Sequence, residues 1–83
     1  MEYTEVDIKL KEVDPFSEIL VAMLDEIGFE SYIEEEDGVK GYVQNRKLDK
    51  DAVSDILSDI SYLTELSYTI NVIKKQNWNE WRY

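Results

Sequence analysis

The order of periodic segments constrains this chain more than any other feature. Thr4, Val6, Ile8 and Leu10 alternate with Glu5, Asp7 and Lys9, and period two with one apolar side is the pattern of a half-buried strand. Asp14-Pro15 reads as a helix N-cap followed by proline at the first helical position. Phe16, Ile19, Leu20, Met23, Leu24 and Ile27 then recur at helical spacing, and Gly28 stands where a left-handed residue closes a helix. Phe29 to Glu35 predicts a second strand, with Phe29, Ser31 and Ile33 inward and Glu30, Tyr32 and Glu34 outward. Asp37-Gly38 reads as a hairpin turn, since both residues tolerate positive φ. Val39, Gly41 and Val43 then face in, and Lys40, Tyr42 and Gln44 face out. Asp49 predicts a second N-cap, with Leu48 stapled to Val53 and a stripe of Ala52, Val53, Ile56, Leu57 and Ile60. Leu66, Tyr68, Ile70 and Val72 alternate through a last strand.

Two helices with one apolar stripe each and four strands with one apolar face match as two layers. Right-handed crossovers then give an α+β, ferredoxin-like βαββαβ plait. Its four-stranded antiparallel sheet has the order 4-1-3-2, with both helices on one face. Residues 1–73 form the domain, and residues 74–83 read as a polar tail carrying Trp78, Trp81 and Tyr83. The second sheet face is left open. Tyr3, Glu5, Asp7, Lys9, Glu30, Tyr32, Glu34, Lys40 and Tyr42 are expected to line it.

Composition narrows the chemistry. At 83 residues the chain allows one domain with little room for an internal active site. It has no histidine and no cysteine, which removes the usual general base, thiolate metal sites and disulfides. Glu34-Glu35-Glu36-Asp37 lacks the alternate ligand positions and central glycine of a calcium loop, so the run reads as an edge strand and turn kept soluble by charge. No glycine-rich phosphate loop is present, and no serine has a histidine to activate it. Catalytic, cofactor and metal residues are therefore all read as none. The chain lacks an 18-residue apolar run and opens on the acidic stretch Met1-Glu2-Tyr3-Thr4-Glu5. The reading is a cytoplasmic, monomeric domain with no membrane partner.

The formal net charge of −10 sets the class of partner. A phosphate backbone is repelled by such a surface, and a basic protein is attracted to it. Lys40-Gly41-Tyr42 shares the opening of an RNA-recognition motif on a third strand, but Val43, Gln44 and Asn45 depart from it. Nucleic acid is accordingly not expected as a direct partner. Tyr3, Tyr32 and Tyr42 among Glu5, Asp7, Glu30 and Glu34 suit lysine-rich polypeptide, whose stems pack on rings while ammonium groups meet carboxylates. Trp78 and Trp81 lie at i, i+3 and would share one side of a helix. They are assigned to interdomain or linker contacts with polypeptide beyond the chain, in preference to a fold-back onto the domain.

The stretch Ile19-Leu20-Val21-Ala22-Met23-Leu24-Asp25-Glu26-Ile27-Gly28-Phe29-Glu30-Ser31-Tyr32 continues into Glu34-Glu35-Glu36-Asp37-Gly38-Val39-Lys40-Gly41-Tyr42. It resembles the N-terminal domain of the bacterial methyltransferases that modify the eleventh protein of the large ribosomal subunit. Asn77-Trp78-Asn79-Glu80-Trp81 is similar to the segment leading into that family's linker, though it lacks one acidic residue before the second tryptophan. The resemblance implies a ferredoxin-like substrate-recognition module. It also implies a separate domain that binds S-adenosylmethionine, and methylation of lysine side chains and an α-amino group on the ribosomal substrate. No residue of this chain matches the donor or catalytic site, so the chain is expected to bind the basic substrate without catalysing alone. The competing reading is an independent plait domain, either an RNA binder or an oligomerising ligand sensor.

Overall fold

The computed structural model describes residues 2–73. Its elements follow in the expected order: β1 (Tyr3–Leu10), α1 (Val13–Glu26), β2 (Ser31–Glu35), β3 (Gly38–Gln44), α2 (Lys50–Ser61) and β4 (Leu66–Ile73). A short 3-10 turn at Asn45–Lys47, not foreseen in the sequence, precedes α2. The strands form one antiparallel sheet in the order β2-β3-β1-β4. That is the 4-1-3-2 order of the ferredoxin-like α+β fold, read from the other edge.

Local chemistry explains both helix ends that matter. α1 closes on Gly28, whose φ of 102° lies in the left-handed region. The Gly28 N–H donates to the Asp25 carbonyl at 3.3 Å and the Phe29 N–H to the Leu24 carbonyl at 3.2 Å, the paired bonds of a Schellman motif. This closure delivers Phe29 into the core, where it is buried beside Leu24. α2 begins at Asp49, whose Oδ1 accepts from the Ala52 N–H at 3.1 Å, and its stripe of Val53, Ile56, Leu57 and Ile60 is buried. At the start of α1, Asp14 is extended (φ −105°, ψ 122°), so the regular helix runs from Pro15. The stripe of α1 differs from expectation: Ser17, Leu20 and Leu24 are buried while Ile19 stays exposed.

Two details of the β2–β3 hairpin correct the sequence reading. The turn is Glu36-Asp37, and Gly38 already belongs to β3, paired with Glu35 and Lys9. Gly38 is required for close approach to β1, since a Cβ there would stand 1.9 Å from the Ile8 carbonyl oxygen. The side-chain alternation of β2 is also inverted. Glu30 donates its N–H to the Tyr42 carbonyl at 2.9 Å, and Ser31 pairs with the same Tyr42. Two residues therefore oppose one, as in a β-bulge. Beyond that step Ser31, Ile33 and Glu35 share a face with Tyr42 and Lys40, while Tyr32 and Glu34 align with Gly41 and Val39 on the helix side.

The core lies between the middle strands and the helices. Val6, Ile8, Leu10, Val39 and Val43 from β1 and β3 meet Leu20, Leu24, Val53, Ile56, Leu57 and Ile60, with Phe29 between them. β4 keeps its predicted alternation, pairing Leu66, Tyr68, Ile70 and Val72 with Leu10, Ile8, Val6 and Thr4. Coverage is what differs: Tyr68, Ile70 and Val72 are 44%, 38% and 56% exposed.

Candidate functional site: the open sheet face

β1 and β3 present the candidate residues by simple alternation. Tyr3, Glu5, Asp7 and Lys9 point away from the helices because Thr4, Val6, Ile8 and Leu10 are buried against them. Across the ladder they face Gln44, Tyr42, Lys40 and Gly38. The bulge brings Glu30 to the same side. Its carboxylate accepts from the Tyr3 hydroxyl at 3.0 Å and from Gln44 Nε2 at 2.6 Å, with Lys47 Nζ at 3.8 Å. Tyr42 donates to Glu5 Oε2 at 2.8 Å, and Asn71 Nδ2 of β4 reaches Glu5 Oε1 at 3.4 Å. Tyr3, Glu5, Asp7, Glu30 and Tyr42 are thus assembled on one surface.

Tyr32 and Glu34 do not join them. Tyr32 packs against the core from the helix side, with its hydroxyl buried and lacking a hydrogen-bond partner. Burial, and then the charge of Asp25, raises its pKa. Glu35, Gln44, Lys47 and Asn71 take part in the face although they were not among the residues expected to line it. Of these, Gln44 was legible from strand parity; the rest depend on the bulge and on cross-strand pairing. Trp78 and Trp81 lie outside the described residues.

Charge on the face is organised around Lys9. Its ammonium lies 3.2 Å from Glu35, 3.3 Å from Asp37 and 3.6 Å from Asp7. The hydrogen bond to Glu35 leads the causes that raise its pKa, followed, against the desolvation that lowers it, by Asp37 and Asp7. Lys40 pairs with the other oxygen of Glu35 at 3.5 Å. One buried oxygen, Asp7 Oδ1, has no hydrogen-bond partner and relies on Lys9.

The tyrosines are held in their neutral form. Burial, then the bond to Glu5, pushes the Tyr42 phenol up to about 12. Tyr3 is raised chiefly by its hydrogen bond to Glu30. A phenol that donates to a carboxylate and titrates above its usual range is neither a base nor a nucleophile near neutrality. The same carboxylates keep acceptor capacity for cationic donors, because each offers about four lone-pair sites. The arrangement can accept cations and hydrogen-bond donors. Among the described residues no group of acidic side chains is arranged to hold a metal ion, and no helix is long and apolar enough to cross a membrane.

Fold and face define a class of protein: a small ferredoxin-like α+β domain with helices on one side of its sheet and an acidic, tyrosine-bearing surface on the other. More narrowly, the chain matches part of the ribosomal protein L11 methyltransferases. It is 32% identical over 82 residues to the ribosomal protein L11 methyltransferase of Phocaeicola vulgatus, a match covering 96% of this chain and 29% of that protein. The enzyme of the same name from Bacteroides thetaiotaomicron is 32% identical over 65 residues, or 77% of this chain and 23% of its own length. That from Bacteroides fragilis is 34% identical over a stretch of the same size. The chain spans less than a third of the length of these curated relatives. No family model and no solved structure matches it.

Proposed function

We propose that residues 1–73 are the substrate-recognition domain of a protein methyltransferase that uses S-adenosylmethionine, and that the open sheet face receives the basic ribosomal protein to be methylated. The observation that carries this reading is the acidic face itself: Glu5, Asp7, Glu30, Glu35 and two neutral tyrosines on one surface of a chain with a net charge of −10. The substrate named by the relatives is a ribosomal protein, and basic polypeptide complements this field. Lysine or arginine stems pack on Tyr3 and Tyr42 while their cationic ends meet Glu5 and Glu30. The domain contributes binding and orientation. Methyl transfer from S-adenosylmethionine belongs to the remainder of a full-length enzyme, so the domain alone is not catalytic. The competing assignment to RNA is disfavoured by the sign of the charge.

An NMR titration of the isotope-labelled chain tests the proposal. Adding ribosomal protein L11 is expected to shift the resonances of Tyr3, Glu5 and Tyr42, and adding S-adenosylmethionine is expected to leave all resonances in place. Donor-induced shifts at fixed positions, or L11-induced shifts confined to the helices, would overturn it. Tyr3→Ala combined with Tyr42→Ala is expected to weaken L11 binding about tenfold or more, on the scale of aromatic hot spots.

A further inference from the structure

The two edges of the sheet are guarded differently. The β2 edge is acidic, with Glu34 and Glu35 in the strand and Glu36 and Asp37 in the turn, the usual defence of an open edge. β4, the other edge, spans Leu66–Ile73 and has no charged residue, in a chain where 34% of residues are charged. The groove of about 360 Å³ between α2 and β4 is equally neutral, lined by Leu57, Leu66, Tyr68 and serines. Hydrogen bonding fixes which way the β4 backbone points. The Lys11 N–H donates to the Glu65 carbonyl at 2.9 Å, one step beyond the Leu10–Leu66 pair in the same register. Only alternate residues of an antiparallel ladder exchange bonds, so Ser67, Thr69, Asn71 and Ile73 turn their N–H and C=O groups towards β1. Tyr68, Ile70 and Val72 turn theirs to the outer edge, where among the described residues they meet no other strand. The same three residues carry exposed apolar side chains.

We infer that this edge pairs with the β4 edge of a second copy, antiparallel about a two-fold axis at Ile70. In that register Ile70 meets the partner's Ile70 and Tyr68 meets the partner's Val72, each pair exchanging N–H···O bonds in both directions. Aromatic and β-branched side chains pair favourably across strands, and this register keeps the apolar row on the helix side in both copies. Thr69 meets the partner's Asn71 on the open side, so no charge enters the contact. Charge selects this occupant. A strongly basic or acidic partner finds no counter-charge on β4 or in the groove. The net charge of −10 does not forbid self-pairing. With two four-stranded sheets joined at β4, the acidic β2 edges lie at opposite ends, about 33 Å apart at ~4.8 Å per strand, several times the screening length of about 8–10 Å. The same acids stop further growth, so pairing closes as a dimer and does not continue into fibres. Both open faces fall on one side of the joined sheet. One strand with one helix flank stays below the about 800 Å² per partner of a standard interface, so association no tighter than micromolar is expected. The pairing departs from the monomer expected from the sequence, and it does not depend on the recognition role proposed above.

Sedimentation of the 83-residue chain tests the pairing. The dimer fraction is expected to rise between about 10 µM and about 1 mM and, because like-charged bodies associate, to rise further with added salt. Ile70→Lys sets two ammonium groups face to face at the two-fold axis and is expected to weaken the dimer at least about tenfold, with the far-UV circular dichroism kept. Ile33→Lys on the opposite edge is expected to spare it. Amide exchange followed by NMR reads the register in the unmodified chain. The amides of Tyr68, Ile70 and Val72 are expected to exchange several-fold more slowly at about 1 mM than at about 50 µM, and those of Ser67, Thr69 and Asn71 to be slow at both. A chain that stays monomeric at about 1 mM would overturn the inference. So would a dimer that salt dissociates, a dimer lost through Ile33→Lys and kept by Ile70→Lys, or protection of the outward β4 amides that is independent of concentration.

Discussion

Replacing Gly38 with alanine is expected to be among the most damaging single-methyl additions to this fold. The added Cβ would stand 1.9 Å from the Ile8 carbonyl oxygen, 2.9 Å from the Ile8 carbonyl carbon and 3.0 Å from Lys9 Cα. Ordinary carbon–oxygen contact begins near about 3.3 Å, so β1 and β3 must part by more than an ångström where Lys9 pairs with Gly38. The obstacle is backbone in the centre of the sheet, so no rotamer change relieves it. Overpacking costs about 1–3 kcal/mol, and each ladder hydrogen bond lost adds about 1 kcal/mol. A loss of about 3 kcal/mol follows, against a total stability of roughly 4–12 kcal/mol for a domain of this length. The midpoint of thermal unfolding should fall by about 12–24 °C at roughly 4–8 °C per kcal/mol. Urea titration followed by circular dichroism, with an unchanged m-value, measures the loss directly. Gly41→Ala supplies the comparison. Its Cβ would meet the Phe29 ring at 2.9 Å, a side chain that can yield, so about 1 kcal/mol is expected. Without a clash, Gly→Ala stabilises by about 0.4–1 kcal/mol through the unfolded chain. A Gly38→Ala protein as stable as the parent, or less damaged than Gly41→Ala, would refute the close-approach reasoning.

Other outcomes can be checked on the same protein. Tyr42→Phe removes the hydrogen bond to Glu5 and should cost about 1 kcal/mol at neutral pH. Because the folded phenol is raised from 10.0 to about 12, its contribution is fully present below pH 10 and is lost as pH rises towards 12. The stability gap between parent and Tyr42→Phe should therefore close over that window, and a constant gap would count against the assigned cause. Asp49→Ala removes the acceptor for the Ala52 N–H and should cost about 1 kcal/mol in urea, with Asp49→Ser recovering most of it.

What the sequence disclosed was what neighbours in the chain decide. Gly28 and Phe29 announced the end of α1, and Asp49 the start of α2, because caps are made within one turn. Alternation placed Tyr3, Glu5, Asp7, Tyr42 and Gln44 correctly, because β1 and β3 run without interruption. Tyr32 and Glu34 were misplaced because the two-to-one step at Glu30 and Ser31 exists only in the pairing with Tyr42. No residue type marks it. The bareness of β4 was hidden for a related reason. Its alternation is the same as that of a covered strand, and coverage depends on where two helices settle across four strands. The open face was legible in its chemical character and in its central members. Its outer rim was not, because the rim is made of cross-strand partners.

The two-to-one step in the hairpin also bears on how this surface can change over generations. Substitutions alter the face one side chain at a time. Removing a single residue at Glu30 or Ser31 would abolish the step: Phe29 and Tyr32 would then stand two apart, both inward as they are now, and the face would lose one outward side chain, either the Glu30 carboxylate or the Ser31 hydroxyl. Such a deletion leaves Ile33 outward and β1 and β3 as they are, but loss of Glu30 would take away the acceptor that holds the Tyr3 hydroxyl and Gln44. Length variation at this one point thus decides whether the rim carries that carboxylate, and relatives that differ there by a residue are expected to display different rims on the same scaffold.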